Sequence, residues 1–213
     1  MATHTDRPAR VAGVILAAGT SSRLGRPKQL LDFGGEPLVR RVARIALATN
    51  LDSVTIVLGA AARDIEPLLG DLSVVIVTNP DFARGQASSM QAGIRAVPAD
   101  TDAILFLLGD QPTIEIATVN SVIDEFGHSG AAIVQAQYAG DVSGHPVLFS
   151  ESLVPELMSI DGDEGGRGII RRHHKAVRHV NFDQAPPPDI DTEEDYQHVL
   201  SRMNPGKKPG AML

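Results

Sequence analysis

The chain has no cysteine. That absence excludes disulfides, thiolate catalysis and Cys-ligated zinc together. Positive charge is also in short supply: 19 Lys and Arg stand against 26 Asp and Glu, for a net charge of −7. Broad binding to nucleic acid or to anionic lipid is not expected from such a surface. Any anionic ligand has to be held by a local cluster of donors. No apolar run approaches the ~20 residues a membrane-spanning helix needs, and the opening MATHTDRPAR lacks the apolar core of a signal peptide. The expected location is cytoplasmic, with no membrane and no nucleic-acid partner. What remains is ordinary for a globular protein: 213 residues, 43% apolar and 21% charged, enough for one well-filled core.

Short apolar runs alternate with longer amphipathic segments. The runs are VAGVILA (11–17), VTIVL (54–58), VVIVT (74–78), AILFLL (103–108) and AAIVQA (131–136). Near-continuous Val, Ile and Leu marks strands covered on both faces, as in a parallel sheet. Between and after them, helical spacing is kept by Leu38, Val42, Ile45 and Ala46, by Val119, Val122, Ile123 and Phe126, and by Tyr196, Val199, Leu200 and Met203. The alternation predicts an α/β three-layer sandwich with a mostly parallel sheet. In such sheets ligands gather at the carboxyl ends of the strands, so chemistry is sought just after each run. We expect a flexible N-terminus over 1–10, one domain over 11–203 and a flexible tail over 204–213; PPP at 186–188 reads as a stiff connection inside that domain.

After the first run the side chains become small. Ala17, Ala18 and Gly19 let a ligand approach the backbone, and Gly25 permits a turn that a side chain would block. Backbone N–H groups there, with Arg23 and Lys28, suit a polyphosphate. A Walker loop is ruled out because no Gly-Lys-Ser/Thr follows, and the dinucleotide fingerprint Gly-x-Gly-x-x-Gly is missing. A glycine-bearing surface turn with solvated cations is the bland alternative. After the fourth run, LLGDQPTI (107–114) sets Asp110 at a strand end, placed either for a hard ion such as Mg²⁺ or merely to organise the turn. Thr192 and Asp195 read as a capping box that starts the last helix, which leaves Asp191 outside the cap and unexplained by it; Asp189 reads as a solvated loop acid.

Other segments admit plain readings. Ser88 and Ser89 in GQASSMQAG (85–93) suit a helix N-terminus. His145 before Pro146 suits a turn, and DGDEGGRGIIRRHH (161–174) suits an acidic loop before a basic helix. The acidic run is no EF-hand, since counting from Asp161 position 12 falls on Arg172. His173 and His174 lack the spacing of a zinc-protease helix. No Gly-x-Ser-x-Gly elbow is present.

Read as one string, LAAGTSSRLGRPKQLLDFGGEPL (16–38) resembles the signature of the MobA-like nucleotidyltransferases. The resemblance extends to about residue 200. It implies a Rossmann-like nucleotide-binding half, in the manner of nucleotide-diphospho-sugar transferases. It also implies that Leu16, Ala17, Ala18 and Gly19 hold the triphosphate, with Arg23 and Lys28 stabilising the departing pyrophosphate. By the same resemblance Asp110 and Asp191 bind Mg²⁺, and Gln86 and Ser89 contact base and ribose. GHPVLF (144–149) and GDEGGRG (162–168) look like elements of the molybdenum-cofactor cytidylyltransferase branch, which assigns His145, Asp163 and Arg167 to the acceptor. LAAG in place of LAGG suggests CTP over GTP, because the Ala18 methyl would narrow the base pocket. Leu24 and Gly166 depart from the usual Met and Ala of the family, the first nearly volume-neutral, the second loosening the match of the acceptor loop. The partners so implied are CTP, with GTP as the alternative, the molybdopterin cofactor and a molybdoenzyme that receives the product. Methylerythritol-phosphate-type transfer and a non-catalytic cofactor carrier remain as alternatives.

Overall fold

The apolar runs become strands almost as read. In the computed structural model, which describes residues 7–203, they are β1 (Val11–Ala17), β2 (Ser53–Leu58), β3 (Val75–Thr78), β4 (Ala103–Leu108) and β5 (Ile133–Tyr138). Two further strands were not expected: β6 (Val142–Ser150) and β7 (Val177–Asn181). β6 swallows the Gly-His-Pro segment that reads as a turn. β7 escapes notice because it is an edge strand, and its exposed Arg178 and His179 break the apolar run.

All seven strands form one sheet in the order β3-β2-β1-β4-β6-β5-β7. β6 is antiparallel to both β4 and β5, and the other pairings are parallel. Helices cover both faces. α1 (Leu38–Leu47), α2 (Ala62–Ile65), α4 (Ile116–Ser129) and α7 (Glu193–Met203) pack on the face carrying Val11, Ile15, Ile56, Leu105 and Val134. α3 (Gln86–Ile94), α5 (Val154–Leu157) and α6 (Arg167–Arg172) pack on the face carrying Val14, Val57, Phe106, Ile133 and Phe149. This is the predicted α/β sandwich. Period-two alternation of the strand side chains splits the core into two clusters.

The strand order reverses beside β1, so the crevice at the carboxyl ends of β1 and β4 is the topological switch point. The two ends are tied there, the Gly109 N–H donating to the Leu16 carbonyl at 2.9 Å. A Cβ at Gly109 would come within 2.8 Å of the Ala17 methyl, so the close approach demands glycine.

At the other pole, residues 7–10, expected to belong to a flexible terminus, are held: the Arg7 guanidinium and the Arg10 N–H both donate to Asp102. Residues 1–6 and the expected tail 204–213 lie outside the described residues. No helix among the described residues is long and apolar enough to cross a membrane.

Candidate active site

The loop after β1 is shaped by a buried glutamine. Gln29, in the 3-10 turn Lys28–Leu30, is 2% exposed, and its Nε2 donates to the carbonyls of Ala17 at 2.9 Å and Gly19 at 3.1 Å. Ser21 takes a positive φ of 55°, and its Oγ accepts the Lys28 N–H at 3.0 Å. Gly25 also has a positive φ, as its role in the turn requires. The loop therefore folds back on itself, and Lys28 is aimed across the crevice.

There Lys28 meets two carboxylates. Its Nζ lies 2.5 Å from Asp110 Oδ2 and 2.8 Å from Asp191 Oδ1, and the other Asp191 oxygen accepts from Arg23 Nη2 at 2.7 Å. Asp191 reaches this position because the capping box forms as read: the Asp195 N–H donates to Thr192 Oγ1, and the Thr192 N–H donates back to Asp195 Oδ2. The Asp191 N–H also donates to Asp195, which turns its carboxylate outward. A further bond, from the Ile190 N–H to the Asp110 carbonyl at 3.2 Å, holds the two acidic segments side by side.

The electrostatics differ among the three groups. Burial pulls the Lys28 ammonium down, but Asp110 and Asp191 outweigh it and leave its pKa above the ordinary value. Burial pushes the Asp110 carboxyl up, against the pull of Lys28. Asp191 is pushed up by burial but held below the ordinary carboxylate value by Lys28 and Arg23. One feature of Asp110 points to a ligand: its Oδ1 is buried and has no hydrogen-bond partner among the described residues. Among those residues no group of three or more His, Cys, Asp or Glu side chains is placed to hold a metal alone. Two carboxylates with one free buried oxygen fit a hard divalent ion that completes its shell with water and phosphate oxygens.

A cleft of about 520 Å³ opens beside this cluster. Leu16, Ala17, Ala18, Gly19 and Lys28 line it from one side, Gln86 and Ser89 from the other, with Asp110 at its end. Arg23 does not line it but stands 68% exposed, on Asp191. Gly85, with φ of 105°, starts α3, and a Cβ there would fall 2.4 Å from the Gly162 backbone. The first N–H groups of α3 are already engaged: Gln86 donates to Asp163 Oδ1 at 3.2 Å and Ala87 to the Gly162 carbonyl at 3.0 Å. Asn79, buried after β3, donates to both Ser88 and Ser89 and fixes their hydroxyls.

A second cleft of about 440 Å³ adjoins the first across Leu16, Gln86 and Leu108. His145 and Arg167 line it. Asp163 does not; it lines the first cleft and caps α3. Burial pushes the His145 imidazole down to about 4, despite the opposing pull of Asp110, so the ring is neutral at pH 7. Asp189 is an exposed loop acid, as expected, and it also lines this cleft, where it accepts from Gln111 Nε2 at 2.8 Å.

Sequence reasoning missed the buried carboxamides Gln29, Asn79, Gln111 and Gln135. Only one left a trace, since Gln135 interrupts an otherwise apolar strand that is covered on both faces.

Comparison with known proteins gives the family and the fold. Residues 13–177 match the family described as the MobA-like NTP transferase domain. The chain is 35% identical over 205 residues to nicotine blue oxidoreductase of Paenarthrobacter nicotinovorans, covering 92% of this chain and 98% of that one. It is 29% identical over 202 residues to molybdenum cofactor guanylyltransferase of Rhodobacter capsulatus, covering 91% and 97%. Among solved structures, Rv0371c from Mycobacterium tuberculosis superposes with a TM-score of 0.83 at 30% identity, covering 92% of this chain and all of that one; a structure of Rv0371c in complex with manganese also matches, with a TM-score of 0.79 at 28% identity, covering 91% and 99%.

Proposed function

The chain belongs to the MobA-like NTP transferase family, a family of nucleotidyltransferases, and from that premise we infer that it transfers CMP from CTP to the molybdopterin cofactor. The observation that carries this reading is the pair of adjoining clefts, one ending on Asp110 beside the Lys28–Asp191–Arg23 cluster and the other lined by His145 and Arg167. Two substrates and one charged junction are what a group transfer requires.

In the reaction an acceptor phosphate oxygen bonds to the α-phosphorus of CTP, and the bond from that phosphorus to the bridging oxygen breaks. Pyrophosphate leaves with the electron pair. A phosphate nucleophile is already anionic near neutral pH, so positioning and charge neutralisation carry most of the rate. Asp110 and Asp191 would hold Mg²⁺, which would neutralise charge on the α-phosphate. Lys28 and Arg23 rest on those carboxylates, and the ion would take over the carboxylate charge that now holds them. They would then take up charge on the departing pyrophosphate. The amides of Ala18 and Gly19 bind the triphosphate, while Gln86 and Ser89 face base and ribose. Arg167 meets the anionic part of the acceptor.

The reading is tested by pyrophosphate release with Mg²⁺ and molybdopterin, comparing CTP, GTP and ATP. Release with CTP supports it; release with GTP keeps the chemistry and overturns the base. A second reading has one observation in its favour, the similarity over nearly its whole length to a protein named as an oxidoreductase. Nucleotide binding with no pyrophosphate from any nucleotide would turn the assignment toward it, or toward a cofactor carrier.

A further inference from the structure

Four carboxamides are buried among the described residues: Gln29, Asn79, Gln111 and Gln135. Three are engaged. Gln29 holds the loop carbonyls, Asn79 holds Ser88 and Ser89, and Gln111 holds Asp189. Gln135 is 8% exposed, and its side chain makes no hydrogen bond with any described residue. It lines the second cleft. β5 explains the direction: Val134 and Ala136 belong to the core cluster of one face and Ile133 to that of the other, so Gln135 shares the face of Ile133. On either side it pairs in register with Val147 of β6 and His179 of β7, and the β5–β6 register shifts just after it. Its carboxamide atoms are not among the fully buried unpartnered ones, so they open onto the cleft, where a ligand can pair with an amide that no side chain or backbone group engages.

The rest of the cleft suits a flat ring. Phe106 and Phe149 stand edge to face at 6.0 Å, and Met90 and Val147 extend the apolar wall. A glutamine side chain presents one acceptor and one donor side by side. It pairs in two-point fashion with a ring edge that presents a carbonyl next to an N–H, as amide side chains pair with the edges of nucleobases. A carboxylate in its place would present two acceptors and repel that carbonyl.

We propose that Gln135 determines acceptor specificity by pairing its carboxamide with the cis-amide edge of an oxo-substituted N-heterocycle in the second cleft. This rests on the reading of that cleft as the acceptor site. It goes beyond the family assignment by naming the contact residue and the ring edge it reads.

The test uses the full chain, with 6-hydroxymethylpterin as a fluorescent probe and isothermal titration of CTP with Mg²⁺ as the control. Gln135→Leu is expected to weaken pterin binding about tenfold or more, to leave CTP binding unchanged, and not to lower the urea midpoint, because the lost amide has no protein partner. Gln135→Glu is expected to lose binding of lumazine, whose ring N–H lies between two carbonyls, more severely than binding of the pterin. Unchanged pterin and lumazine affinities in both variants would overturn the assignment of Gln135 while leaving the acceptor cleft in place. A lower urea midpoint in Gln135→Leu with unchanged pterin affinity would make the residue structural and overturn it likewise. If the wild-type chain bound CTP but no pterin, the acceptor reading and this inference would fall together.

Discussion

Replacing Gln29 by Leu should separate the scaffold of the phosphate loop from its charges. The substitution keeps the side-chain volume, so no cavity opens, but it deletes the donors at 2.9 Å to Ala17 and 3.1 Å to Gly19. Each lost bond is worth about 1 kcal/mol, and a carbonyl left unpaired beside a side chain 2% exposed adds a penalty of similar size. The expected loss is about 2–3 kcal/mol. With a urea slope of roughly 1–3 kcal/mol per molar, the midpoint of unfolding should fall by about 1 M, read by far-UV circular dichroism. Freeing the loop adds an ordering cost of about 1–2 kcal/mol per residue to nucleotide binding. CTP with Mg²⁺ should therefore bind about tenfold more weakly by isothermal titration. Lys28 and Asp110 keep their charges in this variant, so any loss of affinity belongs to the shape of the loop and the aim it gives Lys28. A wild-type urea midpoint together with wild-type CTP affinity would refute the argument that Gln29 pins the loop.

Other outcomes follow from the same structure. Asp110→Asn should abolish metal-dependent turnover and, unlike the wild type, should gain no thermal protection from Mn²⁺ with CTP. Because the folded-state pKa of Asp110 is raised, its ionisation opposes folding as pH rises from the ordinary carboxylate value through the raised one; the variant's advantage in stability should grow over that window, and a flat difference would contradict it. His145 has a folded-state pKa depressed to about 4. The stability it secures is complete above its unfolded value near 6.5 and is lost as pH falls toward 4, so His145→Gln should be less acid-sensitive in that window when urea midpoints are compared. Gly85→Ala forces a side chain into φ of 105° and within 2.4 Å of the Gly162 backbone; it should cost about 2–3 kcal/mol and weaken CTP binding, and an unperturbed melt would show that the contact yields.

The sequence was most legible where one physical rule acts locally. The Val/Ile/Leu runs of β1, β2, β4 and β5 are legible because a strand buried on both faces needs an uninterrupted apolar string; β3 carries the same pattern but is an edge strand with Val75 48% exposed. Thr192 and Asp195 formed their reciprocal cap because both partners lie within one turn. β6 was hidden because its Gly-His-Pro segment carries turn chemistry locally, while pairing with both β4 and β5 overrides it. Asp163 was assigned to the acceptor by a motif, yet the structure uses it to cap α3 beside the first cleft; α3 and the 162–163 loop lie about 77 residues apart in the chain, a distance over which sequence patterns are silent.

By itself, then, the sequence determined the α/β class, the small-residue loop after the first strand, the cationic pair on it and the acids at later strand and helix ends. These follow from burial, backbone freedom and charge, which are properties of neighbours in the chain. Only the tertiary structure decided that Lys28 sits between Asp110 and Asp191, residues 82 and 163 positions away. It alone buried Asp110 Oδ1 without a partner among the described residues, set the Gln135 carboxamide on the wall of the second cleft, and joined two clefts across Leu16, Gln86 and Leu108. The satisfaction of a buried polar atom depends on everything folded around it, and no local pattern encodes that.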